Sequence, residues 1–147
     1  MKILYRFHDG KHLPIVDIKL KSCDGWYNTR AYVDSGASYS LFHADVAEIL
    51  GLVLESGELI EMTVGDGDSL KVYIHRIKII CGGEEFTASI GFSKGIGVGF
   101  NIIGRKDIFD WFIVCFHEQE KFLELTYLNR TASNTFGAIV STRYTLW

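Results

Sequence analysis

The chain has 147 residues, of which 48% are hydrophobic and 14% aromatic, with one proline; this excludes a disordered or low-complexity chain and suffices for one domain with a buried core. A formal net charge of −3, with no basic cluster interleaved with aromatics, argues against a nucleic-acid partner. Cys23, Cys81 and Cys115 are too few and too scattered for a disulfide framework or a zinc site, and with neither a signal-peptide core after Met1 nor an apolar run of membrane-spanning length the expected setting is cytoplasmic, without a membrane partner.

In chain order, apolar and β-branched runs predict strands over 2–7, 14–21, 29–33, 59–64, 70–80, 85–92, 112–116 and 122–128, separated by Gly, Asp and Asn. Along 70–80, Leu70, Val72 and Ile74 alternate with Lys71 and Tyr73. The alternation changes phase near His75 and Arg76 before resuming at Ile77 and Ile79, which predicts a bulge or bend there. Two segments read as helix. In 43–52, Val46, Ile49 and Leu50 share a face and Gly51 stands where a helix would stop; in 104–112, Ile108, Phe109 and Phe112 lie opposite Lys106, Asp107 and Asp110. The expected organisation is a single mainly β domain over 1–128, with two small helices. A tail, 129–147, follows, and its β-branched and aromatic end around Ile139, Val140, Tyr144, Leu146 and Trp147 predicts a docked strand.

The chemistry concentrates at Ala31-Tyr32-Val33-Asp34-Ser35-Gly36-Ala37. An apolar strand runs straight into an acid and then into small residues. A carboxylate placed there lies near the core, where desolvation raises its pKa unless donors hold it; the Ser35 hydroxyl and the Gly36 N–H are the nearest candidates. Taken alone, Asp-Ser-Gly is also an ordinary turn tripeptide.

With apolar residues on both sides and a helix after it, this stretch resembles the D-[ST]-G-A active-site loop of retropepsin-like aspartic proteases. A second match follows about seventy residues on: Asn101-Ile102-Ile103-Gly104-Arg105, followed by Ile108 and Phe109, resembles the hydrophobic-hydrophobic-glycine signature of that family, whose segment interlocks beside the catalytic loop. The resemblance implies a mainly β acid-protease half-barrel, with Asp34, Ser35 and Gly36 catalytic, Ala37 at the substrate, and Ile102, Ile103, Gly104 and Arg105 structural beside the site. Between the motifs the family carries a flap hairpin, and 59–80 has that shape; Gly65, Asp66 and Gly67 at its tip would meet the substrate's main chain. The continuation through 112–128 is more like the DNA-damage-inducible and bacterial or archaeal members than the retroviral ones. One departure stands out. Retroviral enzymes place an acid after the tetrad to pair with the arginine of the second motif, and here Ser38 occupies that position, so Arg105 needs another partner.

The family's chemistry needs two carboxylates, one as base toward water and one, protonated, as acid toward the carbonyl oxygen. Only one motif is present, so the resemblance implies a symmetric homodimer acting on a peptide or unfolded protein, with no cofactor and no metal. A serine hydrolase built on Ser35, Ser38 or Ser40 lacks a nucleophile-elbow pattern, and Asp66 and Asp68 do not fit a calcium loop. The remaining alternative is a non-catalytic dimerisation or peptide-binding module of the same fold.

Overall fold

The first hairpin shows how local chemistry sets the chain path. In the computed structural model, which describes residues 1–63 and 67–129, β1 (Lys2–Leu4) is followed by β2 (Arg6–His8) and β3 (Lys11–Leu13) rather than continuing as one strand. Tyr5 is buried between β1 and β2, and its N–H donates to Lys121 O at 2.8 Å. Asp9 and Gly10 both take positive φ, 47° and 76°, the conformation a two-residue primed turn requires. Asp-Gly in such a position is a readable hairpin signal.

The main sheet contains β4 (Ile15–Ser22), β5 (Gly25–Val33), β6 (Ser40–His43), β7 (Glu58–Thr63), β8 (Ser69–Cys81), β9 (Glu84–Ser93) and β10 (Asn101–Ile103). Their spatial order is β4-β5-β10-β6-β9-β8-β7, and β8 also pairs with β4, so the first six strands close on themselves. Closure removes the free edges that an open sheet would expose. β7 hangs outside the ring on β8. A separate sheet, ordered β1-β12-β11, joins the start of the chain to β11 (Phe112–His117) and β12 (Phe122–Tyr127).

Alternation along β4 sends Val16, Ile18 and Leu20 inward, where they meet Phe42, Ile79, Ile90, Phe92, Ile103 and Leu123 in the principal core. A second, smaller cluster of Leu41, Leu70 and Val72 lies under Ile60, Met62 and Ile74 of the β7–β8 hairpin. Gly91 marks a close approach between strands: a Cβ there would fall 2.5 Å from Val72 Cγ1 and 3.0 Å from Leu41 Cδ2.

Three expectations need correcting. No bulge interrupts β8, because Tyr73 through Cys81 pair one for one with Phe92 through Glu84. Instead the strand changes partner on its other edge, from β7 up to Ile74 to β4 from Ile79, and the buried side chains change phase with it. The first helix is α1 (Ala44–Ile49), ending before Gly51 at φ 77°; its buried face is Val46, Ala47 and Leu50, while Ile49 is exposed. The second predicted helix is a series of turns, with only a short 3-10 turn at Leu54–Ser56 as further helical structure among the described residues. Asp107 breaks it: its φ is 63°, and its carboxylate accepts the Ser89 N–H at 2.8 Å. Asp tolerates this left-handed conformation better than most residues, and a satisfied strand N–H outweighs one more turn of helix. No described helix is long and apolar enough to cross a membrane.

Candidate active site

The Asp34 loop is fixed by a segment far away in sequence. β10 inserts between β5 and β6, parallel to β5 with Asn101, Ile102 and Ile103 opposite Ala31, Tyr32 and Val33. Ile102 also pairs with Leu41 of β6. Just past this junction the Asp34 N–H donates to Ile103 O at 2.9 Å, Ala37 N–H to Asp34 O at 3.2 Å, and Arg105 N–H to Ala37 O at 3.0 Å. Lys106 N–H reaches Ser38 O at 2.9 Å, and Gly104 N–H donates to the buried Ser40 Oγ at 3.1 Å. The two sequence motifs therefore form one hydrogen-bonded unit, which is how a short loop between two strands keeps a fixed shape.

Gly104 is required by space. A Cβ on it would stand 2.3 Å from Tyr39 O and 2.9 Å from Ala37 O, both main-chain atoms of the Asp34 loop. Ile103 is buried in the principal core, and Ile102 packs against the smaller cluster. Arg105 finds its alternative partner in the position of the missing acid, its Nη2 reaching Ser38 Oγ at 3.4 Å. Lys106 lies over the Tyr39 ring at 4.9 Å.

Val33 is buried, Asp34 half-buried, and Ser35 and Gly36 exposed. The Gly36 N–H donates to Asp34 Oδ1 at 2.8 Å. Ser35 Oγ makes no hydrogen bond among the described residues, so of the two donors expected at Asp34 only the backbone one engages. Asp34 and Ser35 open onto a depression of about 220 Å3 shared with Pro14, Tyr32, Phe116 and Glu118. Burial, then the negative charges of Asp34 and Glu118, raise the Tyr32 phenol above its ordinary range. Tyr5 is raised strongly, first by burial and then by its 2.8 Å hydrogen bond to Glu118 Oε1. Both phenols stay protonated, and Tyr5 is a fixed donor that orients Glu118.

The predicted residues fall into two groups. Asp34, Ser35, Gly36, Ala37, Ile102, Ile103, Gly104 and Arg105 come together. At the hairpin tip Gly65 and Asp66 lie outside the described residues; Gly67 has φ 91°, a Cβ on it would meet nothing within 4 Å among the described residues, and no hydrogen bond among them joins it to the Asp34 loop. Sequence reasoning assigned no role at this site to three contributors. Asn101, buried, accepts the His43 N–H at 3.1 Å and donates to Arg30 O at 3.2 Å, tying β10 to its neighbours. Ser40 supplies the Gly104 acceptor, and Glu118 brings a second carboxylate to the depression. An Asn opening an Ile-Ile-Gly run and a Ser heading Leu41-Phe42 are polar groups at buried positions, and such groups need partners.

No family model and no curated protein matches the chain. Among solved structures, a retropepsin-like aspartic protease from Rickettsia conorii is similar at 16% identity with a TM-score of 0.62, over 84% of this chain and 98% of that one. The EIAV protease in complex with the inhibitor HBY-793 aligns at 17% identity with a TM-score of 0.47, over 68% of this chain and 88% of that one. The Rickettsia likeness shows a retropepsin-like fold.

Proposed function

We propose that the chain is one half of an aspartic-type endopeptidase, two copies of which bring their Asp34 carboxylates together to hydrolyse peptide bonds in peptide or unfolded protein substrates. The observation that carries this reading is the Asp34 loop: a single carboxylate at an open strand end, one oxygen held by the Gly36 N–H, its backbone locked by β10. Held this way, Oδ1 keeps a fixed direction while Oδ2 makes no hydrogen bond among the described residues. Two such carboxylates close together cannot both ionise readily, so the pair shares a proton. The charged member draws a proton from water as it attacks the scissile carbonyl, and the protonated member donates to the carbonyl oxygen. The β7–β8 hairpin serves as the flap over the bound peptide. The β1-β12-β11 sheet, whose outer strands β1 and β11 have unpaired edges among the described residues, offers part of the dimer contact. The tail over 129–147, of which only Asn129 is described, is the other candidate for that contact.

The test is cleavage of a mixed peptide pool by wild type and Asp34→Asn, with mass in solution measured over the same dilution series. Turnover should drop at least about 100-fold in the variant, the lower end of what one acid–base group contributes, while the fold is retained. Specific activity should fall as the dimer dissociates. Constant specific activity in a demonstrably monomeric sample would overturn the two-copy mechanism, and peptide binding without cleavage would identify a non-catalytic module.

A further inference from the structure

A second cavity lies beyond Tyr32, apart from the Asp34 depression but bordered by Asn101 and His43 at the β10 junction. It encloses about 380 Å3 between the β2–β3 hairpin and the residues leading into β10. Arg6, Arg30, His8, His43, Phe7 and Phe100 are among its lining, and no carboxylate lines it among the described residues. Arg6 and Arg30 share one counter-charge, Asp17, at 2.5 and 3.5 Å. Two permanently charged guanidiniums against one carboxylate leave a local cationic excess in a chain whose net charge is −3. Arg6 Nε is buried and has no acceptor among the described residues. A buried donor without a partner is costly, and it is the outer guanidinium edges of Arg6 and Arg30 that an incoming anion can reach.

This cavity is connected to the Asp34 depression by aromatic rings. Tyr32 lines that depression and stacks on Phe100 at 5.3 Å between ring centres, with planes 30° apart. His8 meets the other end of the row, edge-on to Phe100 at 6.0 Å. An extended peptide advances about 3.3 Å per residue, so each ring spacing corresponds to about two residues. A chain leaving Asp34 over Tyr32 and Phe100 reaches the arginines a few residues from the bond to be cut.

We propose that the β2–β3 hairpin, with Phe100, forms a distal specificity pocket in which Arg6 and Arg30 take the carboxylate of an acidic side chain of a peptide laid across the Asp34 loop. This rests on the proposed peptide-binding role of that loop, and it assigns the substrate class: peptides carrying Glu or Asp a few residues from the scissile bond. The paired geometry of guanidinium and carboxylate favours this anion over a hydrated point charge elsewhere. The aromatic row supplies apolar contact for the intervening side chains.

The experiment measures binding, so it does not depend on turnover. Fluorescently labelled peptides with one Glu scanned through a neutral sequence, each matched to its Gln counterpart, are titrated by anisotropy into full-length wild type, Asp34→Asn, Arg30→Gln and Arg6→Gln. Thermal melts establish that each variant is folded. Arg30, more exposed than Arg6, is the safeguard should Arg6→Gln unfold. Wild type and Asp34→Asn should bind the Glu peptide about tenfold more tightly than the Gln peptide at one or two adjacent positions, and Arg30→Gln should reduce that ratio to within about twofold. No preference at any position, or a preference unchanged in Arg30→Gln, would overturn the pocket. Glutarate or phosphate alone competing at micromolar concentration would make it a small-anion site and overturn the peptide assignment. A clear Glu preference in a protein that never cleaves would leave the pocket standing and sink the protease reading instead.

Discussion

The junction around Asp34 and the β7–β8 hairpin are two parts of one sheet held in opposite ways. At the junction, strands far apart in sequence meet, and Asp34, Ala37, Gly104, Arg105 and Lys106 all spend their N–H groups on fixed acceptors. In the hairpin, β7 is bonded on one edge only among the described residues, its side chains from Leu59 on alternate between exposed and half-buried, and Leu59 is half exposed. The contrast teaches where this fold concentrates rigidity. The carboxylate proposed to meet its mate stands where the backbone is held by the hydrogen bonds of the junction, and the element proposed to cover it is joined to the ring through β8.

The sharpest way to break that comparison is Gly104→Ala. The added methyl would meet the main chain of Tyr39 at 2.3 Å and Ala37 at 2.9 Å, and neither can swing away as a side chain would. Overpacking costs about 1–3 kcal/mol and more where backbone must move; a loss at or above about 3 kcal/mol is expected in urea unfolding. A loss under about 1 kcal/mol would mean that the junction yields, and that its rigidity is not what holds Asp34.

Next in size is Asp107→Asn, which keeps a residue tolerant of positive φ but removes the charge. Burial alone would raise the Asp107 carboxyl; the Ser89 hydrogen bonds and the nearby Arg76 and Lys106 outweigh it and hold the group below its usual 3.8. A folded-state pKa below the unfolded one stabilises above about pH 4, and this contribution disappears as pH falls through the lower, folded value. Wild type should therefore exceed the variant by about 1–2 kcal/mol at pH 7, the scale of the difference between a hydrogen bond to a charged acceptor and one to a neutral acceptor. The gap should close in acid. A gap that persists at pH 2 would trace the effect to the amide's fit rather than to charge.

Asp107 also marks the boundary of what the sequence could convey. Ile108, Phe109 and Phe112 have helical spacing, yet the same spacing serves a chain of turns, and the strand N–H of Ser89 that selects the turns lies eighteen positions away. The long strands and the Asp34 motif were legible because alternation and an acid at a strand end are local patterns. β10, three residues long, was not, since it is a strand only through its long-range pairing with β5 and β6. The β2–β3 hairpin is a different kind of miss: Asp9-Gly10 announces it, but the apolar run from Lys2 to Phe7 reads as continuous until Tyr5 is seen turned into the core. Glu118 sits in a polar turn, and nothing local marks its approach to Asp34.

The smallest expected effect tests the other side of the comparison. Leu59 pairs with Tyr73 across the hairpin, but the neighbours that pack on the smaller cluster are Ile60 and Met62, which point to the opposite face. Leu59→Thr introduces a β-branched residue suited to a strand while removing apolar surface that is already half in water. Its stability change should stay within about 0.5 kcal/mol, as for surface positions outside any packed or bonded network. If β7–β8 closes over a peptide with this face inward, the same change weakens peptide binding to the Asp34→Asn protein, measured by anisotropy, with the melting temperature hardly moved. A stability loss above about 1.5 kcal/mol would show that the hairpin is bound into the core as firmly as the junction, and the division between a rigid site and a separately held cover would then fail.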